Sequence, residues 1–225
     1  MARLARVVWP GIPHHITQRG TRREEVFFTD EDRTSYLEMV AEAADKYGVE
    51  FWAWCLMPNH VHFVAVPKDE RSLARCFGKA HTQYARRINF RKGWRGSIWQ
   101  GRFASCPLDE QHAWHAVRYV ERNPVRAKLV RVAWSYEWSS AAYHVGLRET
   151  DALIRRMPKA AQMAEDWRGY LHEEDEAALT SLRREGWVGR PVGSAAFLKR
   201  VEERLDRSLV RGKPGRPPKG ASPRA

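Results

Sequence analysis

VEFWAWCLMPNHVHFVAV, residues 49–66, is the stretch on which the fold turns. Val49–Leu56 and Val61–Val66 are rich in aromatic and β-branched residues and read as two strands. Met57-Pro58-Asn59 separates them; proline cannot extend a ladder and the segment does not fit a helix. A connection this short joins antiparallel neighbours, so the stretch predicts a hairpin. Side chains in a strand alternate between faces, so His60 and His62 point the same way while Val61 points into the opposite layer.

Working outward, His14–Gln18 (HHITQ) alternates β-branched and polar residues and reads as a further strand, ending at Arg19-Gly20. Thr29 and the acids Asp30, Glu31 and Asp32 cap a helix whose stripe Tyr36, Leu37, Val40, Ala43, Ala44 and Tyr47 repeats at helical spacing until Gly48. A second helix is predicted over about Ser72–Ile88, then a strand hairpin over Trp94–Leu108 turning at Gln100-Gly101. Asp109 caps a third helix, which Pro124 should end near Asn123, because the residue before proline is steered away from helical angles. Strands and helices in this mixed order predict an α+β fold, with helices covering a mainly antiparallel sheet. No repeat of a solenoid or propeller is visible.

Past Gly146 the character changes. Residues 151–184 carry helical patterning with the acidic cluster Glu173-Glu174-Asp175-Glu176, and Ser194–Leu209 fits an amphipathic helix. RGKPGRPPKGASPRA, residues 211–225, holds five cations, no acids and four prolines, a composition that cannot build a core. The expected organisation is a main domain over 1–145, a helical appendage over 146–210 and a basic, disordered tail over 211–225.

The chain has 225 residues, 43% of them hydrophobic, enough for real cores and against disorder of the whole. Its 39 Lys+Arg against 27 Asp+Glu give a formal net charge of +12, which favours a polyanionic partner. The longest apolar run, Phe51–Met57, is far too short to cross a bilayer, and the N-terminus has no stretch suited to a signal peptide. These features exclude a membrane partner and predict a cytoplasmic, nucleoid-associated protein. Cys55, Cys76 and Cys106 are scattered and odd in number, which indicates neither a disulfide framework nor a CxxC zinc site.

Two imidazoles on one strand face can share an ion, and two histidines leave a divalent metal open to a phosphate oxygen. On spacing alone, two unrelated histidines on a half-exposed strand fit as well. On the third helix Tyr119 and Asn123 stand at i and i+4, hence on one face, beside an expected core face of Ala113, Ala116, Val117 and Val120. A phenol there could attack and an amide oxygen could complete a metal site. A core tyrosine followed by a helix-terminal asparagine is the other reading of the same spacing. His112 and His115 are candidate proton carriers near that stripe, with partly exposed surface histidines the favoured reading; His14 or His15 could face the same side of the sheet, where the non-functional reading is again favoured.

PHHITQRGTRREEVFFTDEDR, WCLMPNHVHFVAVP, WQGRFASCPLDEQH and RYVERNPVRAKLV, in that order over residues 9–145, resemble the single-tyrosine HUH transposase family and in particular its REP-associated branch. The resemblance implies a ferredoxin-like antiparallel sheet that carries the histidines and a helix that presents the tyrosine. By motif position it implies His60, His62 and Asn123 as ligands of Mg2+ or Mn2+ and Tyr119 as nucleophile. The implied activity is a metal-dependent single-stranded DNA transposase and endonuclease that cleaves and rejoins strands through a 5'-phosphotyrosine, at hairpins with adjoining cleavage signals. The alternative is a non-catalytic regulator that binds single-stranded or hairpin nucleic acid.

Candidate DNA contacts are Arg19, Arg22 and Arg23 in the first loop, and Lys79, Arg86, Arg87, Arg91, Lys92 and Arg95 around the second helix, beside Trp94 and Trp99. Gly215-Arg216-Pro217 in the tail resembles an AT-hook core, which would put Arg216 in a minor groove. The oligomeric state stays open.

Overall fold

A computed structural model describes residues 6–156, 166–173, 182 and 189–206. Its centre is a four-stranded sheet in the order β2-β3-β1-β4, formed by β1 (His14–Arg19), β2 (Val49–Met57), β3 (His60–Pro67) and β4 (Ala104–Pro107). Each neighbouring pair is antiparallel. With α1 (Asp30–Tyr47) between β1 and β2, and α2 (Ser72–Lys92) between β3 and β4, this is the ferredoxin-like arrangement expected from the sequence.

Alternation sorts the strands into two layers. Ile16, Phe51, Leu56, Val61 and Phe63 face α1 and α2, which supply Tyr36, Val40, Phe77 and Tyr84 to that core. Ala53, Cys55, Val64 and Cys106 face α3 (Glu110–Arg126), whose Ala113, Ala116, Val117 and Val120 are fully buried. β1 lies between β3 and β4, so its His15, Thr17 and Arg19 share the α3 side with His60 and His62 of β3.

Local chemistry sets the boundaries. Thr29 and Asp32 form a reciprocal capping box at the start of α1, and Gly48 ends it at φ 65°. The β2–β3 turn is only Pro58-Asn59, since Met57 pairs with His60. It is clasped by the loop after β1: the Gly20 amide donates to the Asn59 carbonyl and the Val26 amide to the Pro58 carbonyl. A Cβ on Gly20 would lie 2.3 Å from the Glu24 carbonyl oxygen, so this approach needs glycine.

Two expectations are corrected. Trp94–Leu108 does not form a hairpin: only Ala104–Pro107 is a strand, and Trp99 makes a single bridge to Gly20. The segment is spent closing the end of the first core, where Trp99 is 5% exposed. Nor does Pro124 end α3, which runs on to Arg126. Proline removes the amide that would serve the Val120 carbonyl, and the Asn123 side chain replaces it, its Nδ2 lying 2.9 Å from the Tyr119 oxygen and 3.4 Å from that of Val120.

α4 (Ala141–His144) follows a short 3-10 turn. Beyond it, α5 (Trp167–His172) lies against α3, with Trp167 and Leu171 in the second core and Arg122 donating to the His172 carbonyl at 2.9 Å. α6 (Ala195–Leu205) begins at the Ser194 cap as expected and packs Phe197 and Val201 on Val7, with Trp9 stacked on Phe197. Residues 151–156 are not helical. The acidic cluster past Glu173 and the tail with Arg216 lie outside the described residues.

Candidate active site

On the α3 side of the sheet an open cavity of about 510 Å³ is walled by His60 and His62 from β3, His15 and Arg19 from β1, and Tyr119 and Asn123 from α3. Thr17, Arg23 and Arg126 complete its polar lining. Strand pairing brings the first group together: His62 stands opposite Thr17 and His60 opposite Arg19. Helical spacing brings the second, because positions 119, 123 and 126 recur on one face of α3.

Each of the two β3 imidazoles is held through its Nδ1. Asn59 donates its amide to the Arg23 carbonyl at 2.9 Å, which turns its oxygen onto His60, where Nδ1–H donates at 2.6 Å. His62 Nδ1 lies 3.1 Å from His15 Nε2, the two rings parallel with centroids 5.3 Å apart. The Nε2 of both His60 and His62 is therefore the atom left for a ligand. Burial, then the charge of Arg19, pushes His60 down to about 4. Burial also pushes His15 down to about 4, and burial with the neighbouring His60, His15, Arg19 and Arg126 holds His62 well below the ordinary histidine range. All three rings are neutral near pH 7, the form that carries a ligating lone pair.

Tyr119 is 8% exposed and stands edge-on to both His62 and His15, at centroid distances of 5.5 and 5.6 Å. Asn123, with its amide nitrogen turned back on the helix, has Oδ1 left to present to the cavity. Among the described residues no group of three or more His, Cys, Asp or Glu could hold a metal ion. A metal at this site would depend on the amide oxygen of Asn123 as third donor beside His60 and His62, and a set of two imidazoles and one amide oxygen suits a divalent cation with open positions.

The DNA-contact candidates divide. Arg19 and Arg23 line the cavity, and Arg22 is exposed beside it. Arg22 and Arg23 both have left-handed backbones, φ 54° and 67°. Trp99 is corrected from base stacker to core residue, its indole donating to the His81 carbonyl at 3.3 Å and its ring packed among Tyr36, His81 and Tyr84. Arg87 pairs with Glu31, Lys79 with Glu42, and Arg91 with the buried Asp32 at 2.6 Å, so these cations clasp α2 to α1. Trp94 remains half exposed, edge-on to Phe28. His112 is bound to the Asp109 cap at 2.6 Å and His115 contacts Arg118; neither lines the cavity. His14 is a packing residue, with Nδ1 bonded to the Ile12 carbonyl and Nε2 accepting from the Trp9 amide.

Sequence reasoning assigns no site role to Asn59, turn punctuation there and here the acceptor for His60 though outside the cavity lining; it favours a non-functional role for His15; and it does not single out Arg126. The second and third had a legible signal, strand alternation for His15 and the seven-residue helical interval from Tyr119 for Arg126.

The model of the IS200-like transposase family matches residues 10–123. Among solved structures, a REP-associated tyrosine transposase bound to a REP hairpin superposes with a TM-score of 0.53 at 18% identity, over 68% of this chain and 90% of that one. A candidate transposase from Deinococcus radiodurans R1 aligns with a TM-score of 0.38 at 19% identity, over 54% of this chain and 97% of that one. No curated protein matches the chain. Among the described residues no helix is long and apolar enough to cross a membrane.

Proposed function

The chain belongs to the IS200-like transposase family, and from that premise we propose that it is a REP-associated tyrosine transposase that cleaves and rejoins single-stranded DNA beside hairpins. The observation that carries this reading is the position of Tyr119, edge-on to His62 across a cavity that Asn123 and three arginines also line. Its partner is hairpin DNA with adjoining cleavage signals, in keeping with the hairpin held by the structural neighbour. Residues 1–145 are the catalytic unit, 146–210 an accessory segment, of which Trp167–His172 packs on α3, and 211–225 a basic tether; the protein acts in the cytoplasm, on the nucleoid.

The cavity binds the scissile phosphate through the guanidinium groups of Arg19 and Arg23. Tyr119 Oη attacks phosphorus as the bond from phosphorus to the 3' oxygen breaks, leaving a 5'-phosphotyrosine. The phenolic proton passes to solvent and the departing 3' oxygen takes one up to become a hydroxyl. A 3'-hydroxyl later attacks the phosphotyrosine, rejoining DNA and returning the phenol, so the bond energy is conserved and no nucleotide hydrolysis is needed. Mg2+ or Mn2+ bound by His60, His62 and Asn123 would supply Lewis-acid polarisation of the phosphate. Asn59 and His15 keep the two imidazoles oriented with Nε2 available.

Labelled single-stranded hairpin DNA mixed with the protein and Mn2+ tests this reading. The wild type should give an adduct that survives denaturation, and Tyr119→Phe should give none while retaining affinity. Affinity without any adduct from the wild type would leave the non-catalytic regulator as the correct description.

A further inference from the structure

Arg126 lies one turn beyond Asn123, on the same face of α3 as Tyr119, with its guanidinium carbon 5.0 Å from the centroid of the Tyr119 ring. It lines the cavity together with Arg19 and Arg23, and no carboxylate is among the described residues that do so. Its Nη1 is buried and has no hydrogen-bond partner among the described residues. That nitrogen is turned away from solvent, while the side chain as a whole is only half-buried and so keeps part of itself open to the cavity. A basic residue in the last turn of a helix is commonly explained by the helix dipole, but that role needs no buried donor beside a tyrosine ring. The cavity wall so built places a guanidinium beside the phenol.

We infer that Arg126 is a catalytic residue that holds a non-bridging oxygen of the scissile phosphate against Tyr119. This rests on the transposase reading above, because it is that reading which brings a phosphodiester to the phenol. Arginine suits the task better than lysine: its planar fork can engage two oxygens, or one oxygen while keeping contact with the aromatic face. As phosphorus gains its fifth oxygen, negative charge builds on the non-bridging oxygens, and a fixed guanidinium stabilises that charge without reorganising. Arg126 moves no proton in this step; it is a charge clamp.

The test combines Arg126→Ala and Arg126→Lys with backbone neutralisation of the DNA. At saturating hairpin DNA, Arg126→Ala should form the adduct about 100-fold more slowly than wild type, and Arg126→Lys should recover only part of the loss. A loss under about threefold would overturn the proposal.

The second arm needs no cleavage. In a Tyr119→Phe background, a methylphosphonate is moved one linkage at a time along the strand flanking the hairpin and affinity is measured at each step. With Arg126 present, one linkage should cost about tenfold in affinity when neutralised; with Arg126→Ala that cost should vanish at that linkage alone. Equal losses in both proteins at every linkage would mean that Arg126 touches no phosphate and serves only to pack α3. If the wild type forms no adduct, the transposase reading fails on the first arm, and the methylphosphonate scan still decides whether Arg126 binds a backbone phosphate.

Discussion

The side-chain nitrogen of Asn123 donates to the backbone carbonyl of Tyr119 at 2.9 Å, joining the nucleophile candidate to a metal-ligand candidate within one helical turn. The same nitrogen lies 3.4 Å from the Val120 carbonyl, the group that Pro124 cannot serve. One amide thus repairs the helix with its nitrogen and is left with its oxygen for the cavity.

Two separable roles follow for Asn123. Asn123→Ala should lower stability by about 1 kcal/mol, and Asn123→Asp by more, because a carboxylate beside two carbonyl oxygens has no proton to donate. Adding Pro124→Ala restores a backbone amide and should recover stability in the alanine variant without restoring cleavage. Urea unfolding read beside adduct formation checks this; activity returning with stability would mean that the oxygen of Asn123 ligates nothing.

Buried histidines make the fold sensitive to acid. Burial pushes His81 down to about 3 and His14 down to about 4, well under the usual value near 6.5. Below pH 6.5 the unfolded chain takes up protons that the folded chain refuses, so their contribution is present above that pH and is lost as pH falls toward 4 and then 3. Each can cost up to about 1.4 kcal/mol per pH unit in that window. Unfolding free energies should be flat from pH 7 to 8 and fall steeply between pH 6 and 4. His81→Gln should flatten the fall; an unchanged slope would remove His81 from the explanation.

Trp99 should behave as a core residue. Trp99→Ala is expected to cost about 3–5 kcal/mol of stability. Trp99→Leu, which keeps an apolar side chain among Tyr36, His81 and Tyr84 but no ring, should leave the hairpin affinity of the folded protein within about twofold of wild type, where loss of a base-stacking platform would cost roughly 1 kcal/mol or more. A fluorescence titration with single-stranded DNA decides between them.

Glu121, fully buried on the other side of α3, accepts from Ser140 and from the Trp167 indole at 3.0 Å, and pairs with His144. Glu121→Ala leaves all three without their shared acceptor and should cost about 3–5 kcal/mol. Because Trp167 opens α5, limited proteolysis should also show cleavage near residues 166–173 earlier than in wild type.

Deletion of residues 211–225 should weaken hairpin binding and lower the log-log salt slope by about 0.7–0.9 for each phosphate that the tail no longer neutralises, with the rate at saturating DNA unchanged. If Gly215-Arg216-Pro217 enters a minor groove, only the full-length protein will prefer AT-rich duplex flanks. An equal loss on AT-rich and GC-rich flanks reduces the tail to a charged tether.

The order of strands and helices was legible from the chain because it rests on local rules. Alternation placed His60 and His62 on one face, the Thr29 cap and Gly48 bounded α1, and the short Met57-Pro58-Asn59 connection enforced a hairpin. Helical spacing likewise put Tyr119 and Asn123 together. What local rules could not supply was which faces meet. Only β1 lying between β3 and β4 sets His15 against His62, and only the docking of α3 over that face stands Tyr119 edge-on to both. Long-range pairing also decided the fates of Trp99, Arg87 and Arg91. Composition marks an aromatic or a cation as fit for DNA, but whether it is spent inside depends on a partner far away in sequence, Tyr36 for the indole and Glu31 or Asp32 for the guanidinium groups. The continuation of α3 through Pro124 is also a tertiary outcome: steric preference argues for an end, but α3 is packed on the sheet through Ala113, Ala116, Val117 and Val120, and the Asn123 side chain offsets part of the cost by reaching the Val120 carbonyl.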